Sequence, residues 1–215
     1  FRQFGEQRLD PHTATRLHRA HLAYFVQVAW EEGVGYLDRL EDPEPDPFLV
    51  ERDNIRAAMQ WALAEHDVDA CARLARAFVD RNNIQLDPEY EEFLTEAASH
   101  PAASGETVAF AATMTGYGTR GDFRAGLELA RRAVAIDPDE PWTWFALGLQ
   151  MLLTQGPSAE AASTMERAVK LAAPESPSFR ALVHGMTAAA AGGVDSSLAA
   201  AHIRHVEELL RAGLS

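Results

Sequence analysis

Cysteine is nearly absent: Cys71 stands alone among 215 residues, so no internal disulfide and no multi-cysteine zinc or iron–sulfur site can form within the chain. A reducing, cytoplasmic compartment is the expectation. Lysine is equally scarce. The only one, Lys170, follows no glycine-rich stretch, so the Gly-x-x-x-x-Gly-Lys-Ser/Thr loop that cradles nucleotide phosphates is missing from these residues. No run approaches the ~18 consecutive apolar residues of a membrane span, and no basic-then-apolar leader opens the sequence. A basic stripe is lacking too. The formal net charge is −13, with the acidity concentrated in residues 31–54 and 87–100. Phosphate neutralisation needs the opposite sign, which argues against direct nucleic-acid binding. Two solvated acidic surfaces account for the charge.

What is present is apolar content in helical register. At 47% hydrophobic residues the chain can bury a substantial core. Residues 1–9 read as a short amphipathic helix stopped at Asp10-Pro11. From His12 to about Glu32 a longer helix places Leu17, Ala20, His21, Tyr24, Phe25 and Val28 at three- and four-residue steps, which predicts one buried face. Gly33 and Gly35 end it. The prolines of residues 41–47 force a loop. A helix over 48–65 then carries Ile55, Ala58, Met59, Ala62 and Leu63, and another over 69–81 carries Cys71, Leu74, Ala75, Phe78 and Val79. These two are predicted to form an antiparallel hairpin. An acidic helix over 88–100 opens at Pro88, where the missing N–H costs nothing.

From Gly105 the pattern repeats. A first helix aligns Phe110, Met114 and Tyr117. Gly121-Asp122 turns the chain into a second helix with Phe123, Gly126, Leu127, Ala130, Ala133 and Val134 on one face, ended by Asp137-Pro138. The next copy has Trp144, Leu147, Gly148 and Met151, a turn at 155–157, then Ala161, Met165 and Ala168, ending near Pro174. A third opens with Phe179, Leu182, Val183 and Met186, turns at Gly192-Gly193 and runs from Ser196 to Leu210. Phe110, Trp144 and Phe179 fall 34 and 35 residues apart, as do their small counterparts Ala133 and Ala168 at 35. Large residues on the first helix, small ones on the second and a closing proline resemble the tetratricopeptide signature, with Gly121, Gly126, Ala133, Pro138, Trp144, Gly148, Ala161 and Ala168 at its structural positions. Small residues let the second helix approach the first closely. The predicted fold is all-α: a right-handed α-α superhelix of antiparallel hairpins with about ten helices.

The N-terminal half carries a second resemblance. Residues 1–9 (Phe-Arg-Gln-Phe-Gly-Glu-Gln-Arg-Leu) are similar to the "LRQYAxERL" segment that ends the winged-helix part of the nucleotide-binding module in bacterial STAND-type regulators. Residues 18–25 resemble that family's "RHAxYF" helix, and Glu51 to Leu63 resembles the "ExDNLRAALxWAL" helix at the start of its tetratricopeptide arm. The family includes LuxR-type and antibiotic-regulatory-type transcription activators and relatives linked to an adenylate cyclase. The resemblance implies that residues 1–10 are the tail of a preceding ATPase module, 11–104 non-consensus helical hairpins and 105–215 three tetratricopeptide-like repeats, the whole cut from a longer polypeptide that starts before Phe1. ATP binding, DNA binding and cyclase chemistry would lie outside these residues, and the expected role is effector sensing and self-association. A free-standing adaptor that scaffolds other proteins is the alternative.

Chemistry within the chain is sparse, and no enzyme activity, cofactor or metal is expected. His18 with His21, and His202 with His205 and Glu208, have helical spacing that a metal can use, but the first pair lacks a third ligand. Cys71 sits on an apolar face and reads as core rather than nucleophile. Glu91 and Glu92 point about 100° apart on a helix. Some tetratricopeptide grooves clamp a peptide carboxylate with Lys and Asn, whereas the corresponding Ala111, Thr115 and Ala146 supply neither. A protein or peptide partner, or the chain's own ATPase module, is therefore expected to meet apolar and aromatic contacts from Phe110, Tyr117, Phe145 and Leu149. Trp144 is expected to be a buried anchor, and Trp142, two residues earlier and facing elsewhere, is a candidate for an exposed contact.

Overall fold

The computed structural model describes residues 10–31, 47–81, 88–117, 121–173 and 175–213. The predicted helix at 1–9, the stop at Gly33 and Gly35, most of the proline loop at 41–47, the Tyr117 side chain and the closing Pro174 lie outside the described residues. Within them every regular element is helical: α1 (Pro11–Glu31), α2 (Pro47–Val50), α3 (Arg52–Ala64), α4 (Val68–Arg81), α5 (Pro88–Ser99), α6 (Gly105–Tyr117), α7 (Phe123–Ile136), α8 (Pro141–Gln155), α9 (Ala159–Leu171), α10 (Pro177–Ala191) and α11 (Ser196–Gly213). Among the described residues no helix is long and apolar enough to cross a membrane. The residues group into two compact units, one of Phe1–Gln85 and Glu92–Ala102, the other of Leu86–Glu91 and Ala103–Ser215.

In the first unit α3 and α4 pack together as a hairpin and α1 lies against both. Ile55, Met59 and Ala62 of α3 and Cys71, Leu74 and Ala75 of α4 are fully buried, as their spacing predicts. Two expectations need correction. The single helix over 48–65 is broken at Glu51: one short turn, α2, drops Phe48 into the core, leaves Val50 exposed, and the chain restarts with the Asn54 and Ile55 N–H groups bonded to the Glu51 carbonyl. On α1 the buried positions are Leu22 and Phe25, while Leu17 and Tyr24 are 49% and 60% exposed. The helix is therefore rotated from the predicted face, and Tyr24 packs edge-on to Phe25 instead of entering the core. The α3–α4 turn is made by His66, whose φ of 61° is left-handed.

The second unit holds three consecutive hairpins, α6–α7, α8–α9 and α10–α11, each packed on the next. Helix starts follow from short polar side chains that satisfy otherwise unpaired N–H groups. Asp122 Oδ1 accepts from Ala125 N at 3.0 Å, Ser158 Oγ from Ala161 N at 3.1 Å and Ser176 Oγ from Phe179 N at 3.2 Å. Pro141 opens α8, with the Glu140 carboxylate accepting from Trp142 N. Each such cap contributes about 1 kcal/mol.

Close approach explains the small residues. A Cβ on Gly126 of α7 would lie 3.0 Å from the Ala112 carbonyl of α6, and one on Gly148 of α8 would lie 2.7 Å from Met165 Cγ of α9. Ala133, Ala161 and Ala168 are fully buried. Gly121 takes a φ of 57° at the α6–α7 connection, a conformation other L-residues resist. Pro138, by contrast, is exposed and stands just beyond the α7 C-cap Asp137, where it can end the helix without entering the core.

Candidate partner-binding surface

The helices α6 and α8 are apolar around their whole circumference, while α7 and α9 have one apolar face. Helix α8 packs against α6, α7, α9 and α10, so little of it remains for a ligand. Phe110, Phe145 and Leu149, expected as groove contacts, are only 4%, 2% and 2% exposed. They form core, because a helix enclosed by neighbours has no free face on which to present them.

Both tryptophans are half-buried and pack against the core, so Trp142 is less exposed and Trp144 less enclosed than expected. Trp142 stacks on Phe179 of α10 with ring centroids 4.2 Å apart and meets Phe145 edge-on at 5.5 Å. It ties the second hairpin to the third, each aromatic pair adding about 0.5–1.5 kcal/mol. Trp144 is half-buried, and its indole N–H donates to the Pro138 carbonyl at 2.7 Å. A buried indole would need a partner inside the core; here it finds one at the surface. The Arg167 guanidinium sits 5.9 Å from the Trp144 ring centroid and 4.0 Å from Asp139.

Trp144 forms one edge of an open cleft of about 660 Å³. Ala162 and Ser163 of α9 and Leu198 of α11 are among the residues that line it. Glu166, Arg167, Lys170 and Asp195 bring charge of both signs to its rim. The cleft thus combines an aromatic ring held by a hydrogen bond, small side chains and charges of both signs. Sequence reasoning missed this cleft because Trp144, assigned to the core, is the residue that reveals it.

The histidines divide. His18 stacks on Trp61 at 6.0 Å, so the helix resembling "RHAxYF" leans on the one resembling "ExDNLRAALxWAL". In the latter the polar residues act locally: Asn54 Nδ2 donates to the Glu51 carboxylate and Arg56 Nη2 to Asp53 Oδ1 at 2.5 Å. His202 is 5% exposed and bonded through both ring nitrogens, Nε2 to Glu166 Oε1 and Nδ1 to His184 Nδ1 at 2.7 Å. His205 Nδ1 lies 3.2 Å from Glu208. Among the described residues no group of three His, Cys, Asp or Glu side chains is placed to hold a metal ion. Burial, followed by the charges of Glu96 and Asp67, pushes the Cys71 thiol up to about 12, far from the range of a reactive thiolate. Glu140, the α8 cap, is raised chiefly by burial.

Comparison of the chain with protein-family models, with curated proteins and with solved structures gave no match.

Proposed function

We propose that this chain is a non-catalytic sensing and protein-interaction arm of a larger ATP-dependent regulator, and that a protein or peptide partner lies in the Trp144 cleft. The observation that carries the proposal is the seating of the Glu51–Leu63 helix against the His18–Phe25 helix, in chain order ahead of three hairpins repeating every 34 to 35 residues. The motif's apolar positions Ile55, Ala58, Met59 and Ala62 are core and its polar ones hold the helix start, so this stretch explains itself as scaffold and needs no active site. Cys71, which does not line the cleft, is buried with a raised thiol pKa and offers no activated nucleophile.

Two measurements test this. The coding sequence upstream of Phe1 should hold a phosphate-binding loop and a winged helix; an initiator Met or secretion signal close by would favour the free-standing adaptor instead. Calorimetry on the chain alone should give no heat with ATP, and micromolar binding would sink the assignment of nucleotide chemistry to another module.

A further inference from the structure

A second cavity, of about 210 Å³, lies among α9, α10 and α11. Its walls include Val169, Ala172 and Val183, and its polar lining consists of Arg180, His184 and His205, with no carboxylate among them. In a chain of net charge −13 this lining carries a permanent cation, Arg180, and no carboxylate. Arg180 is half-buried and makes no ion pair with any described residue. A partly desolvated guanidinium without a counter-charge favours an anion.

We propose that this cavity binds a small organic monoacid, its carboxylate on Arg180 and His184 Nε2 and its short apolar tail against Val169, Ala172 and Val183, and that binding is coupled to proton uptake at His184. The proton follows from the hydrogen bonds behind the cavity. The Glu166 carboxylate accepts from His202 Nε2. In the tautomer that places hydrogen on His202 Nε2 and on His184 Nδ1, His202 Nδ1 accepts from His184 Nδ1. His184 Nε2 is then a bare lone pair, and it is the ring nitrogen left for a ligand. A carboxylate cannot bond to a lone pair, but it can accept from Nε2 once a solvent proton sits there. That protonation leaves the His184–His202–Glu166 chain unbroken.

The charged and titratable groups facing His184 are Glu166 from α9, Arg180 on its own helix, and His202 and His205 from α11; α8 adds none. Burial first, then His202, His205 and Arg180, against an opposing pull from Glu166, lower His184 to about 4. A bound anion cancels part of that penalty and raises the group. The complex therefore holds more protons than the free protein between the two values, and affinity rises as pH falls through that window.

The experiment is calorimetric titration of the whole chain with sodium butyrate, and with butyramide as the neutral isostere. Butyrate should bind and butyramide should not. If the ligand restores His184 to its ordinary value, butyrate binds about fourfold more tightly at about pH 6 than at about pH 7.5, and buffers of different ionisation enthalpy report proton uptake. Arg180→Gln should weaken binding at least about tenfold, with an unchanged melting temperature showing that the fold survives. Val169→Phe, which narrows the cavity and leaves its charges in place, should weaken it as well. Equal heats from butyramide, full affinity in Arg180→Gln, or no butyrate binding at tens of millimolar would each overturn the proposal. It stands independently of the regulator proposal, since it concerns a different cavity and a different ligand.

Discussion

Adding a single methyl group at Gly126 sets two physical effects against each other. Alanine is the better helix former by about 1 kcal/mol, so propensity alone predicts that Gly126→Ala stabilises α7. Packing predicts the reverse. The new Cβ would stand 2.7 Å from Gln150 Oε1, 2.9 Å from Gln150 Cδ and 3.0 Å from the Ala112 carbonyl. Gln150 cannot easily yield. It is fully buried, its Nε2 donates to that same Ala112 carbonyl at 2.8 Å, and a Cβ at Gly116 on its other side would be 2.8 Å away. Overpacking costs about 1–3 kcal/mol, and displacing the amide breaks a buried hydrogen bond worth about 1 kcal/mol more. The net effect is a loss of about 1–3 kcal/mol, a fall in melting temperature of roughly 3–10 °C, followed by far-ultraviolet circular dichroism. Gly148→Ala is the matched control, because the three atoms nearest its Cβ all belong to the flexible Met165 side chain, and it should change stability by less than about 1 kcal/mol. In a Gln150→Ala background the Gly126→Ala penalty should shrink but not disappear, because the Ala112 carbonyl still stands 3.0 Å from the new Cβ. A rise in melting temperature for Gly126→Ala alone would refute the packing argument.

Two further outcomes are expected. Cys71, fully buried with its thiol raised to about 12, should resist iodoacetamide at about pH 8 in the native chain and react promptly once urea unfolds it; equal rates in both states would contradict the burial. His184 binds its proton less readily folded, at about 4, than unfolded, at about 6.5. Between these values the unfolded chain holds more protons, so stability is complete above about pH 6.5 and declines as pH falls toward 4. Because the ring is partly solvated, screening leaves about 1–2 kcal/mol of that effect. Urea midpoints at about pH 7.5 and 5 should differ less in His184→Asn than in the parent chain; an identical decline would count against this assignment.

The hairpins were legible because they rest on local rules. Gly121-Asp122 announces a helix start by the short polar side chain it places before an apolar run. Gly126 and Gly148 mark close contacts by their lack of one. Orientation was less legible. Periodicity locates a stripe, but on α1 it did not decide between Leu22 and Leu17, because Leu, Tyr and Phe occupy most of its circumference. The groove assignment failed at Phe145 and Leu149 for a related reason: apolar residues on every side of 141–155 signal an enclosed helix, which leaves no face open. Gln150, a lone amide amid Leu, Met and Leu, was a signal in plain view. So was Glu166, although its pairing with His202, 36 residues later, is a tertiary event that helical spacing does not encode.

The hydrogen bond from Gln150 to the Ala112 carbonyl bears on how freely such hairpins can be exchanged. Repeats that touch only through apolar surface can be duplicated, deleted or shuffled with modest repair. This one carries a polar group whose acceptor lies 38 residues earlier and whose slot is shaped by Gly116 and Gly126. Moved behind any other hairpin, α8 would bring a buried amide with no slot to receive it. The first two hairpins of the second unit are thus a matched pair, heritable and transplantable only together.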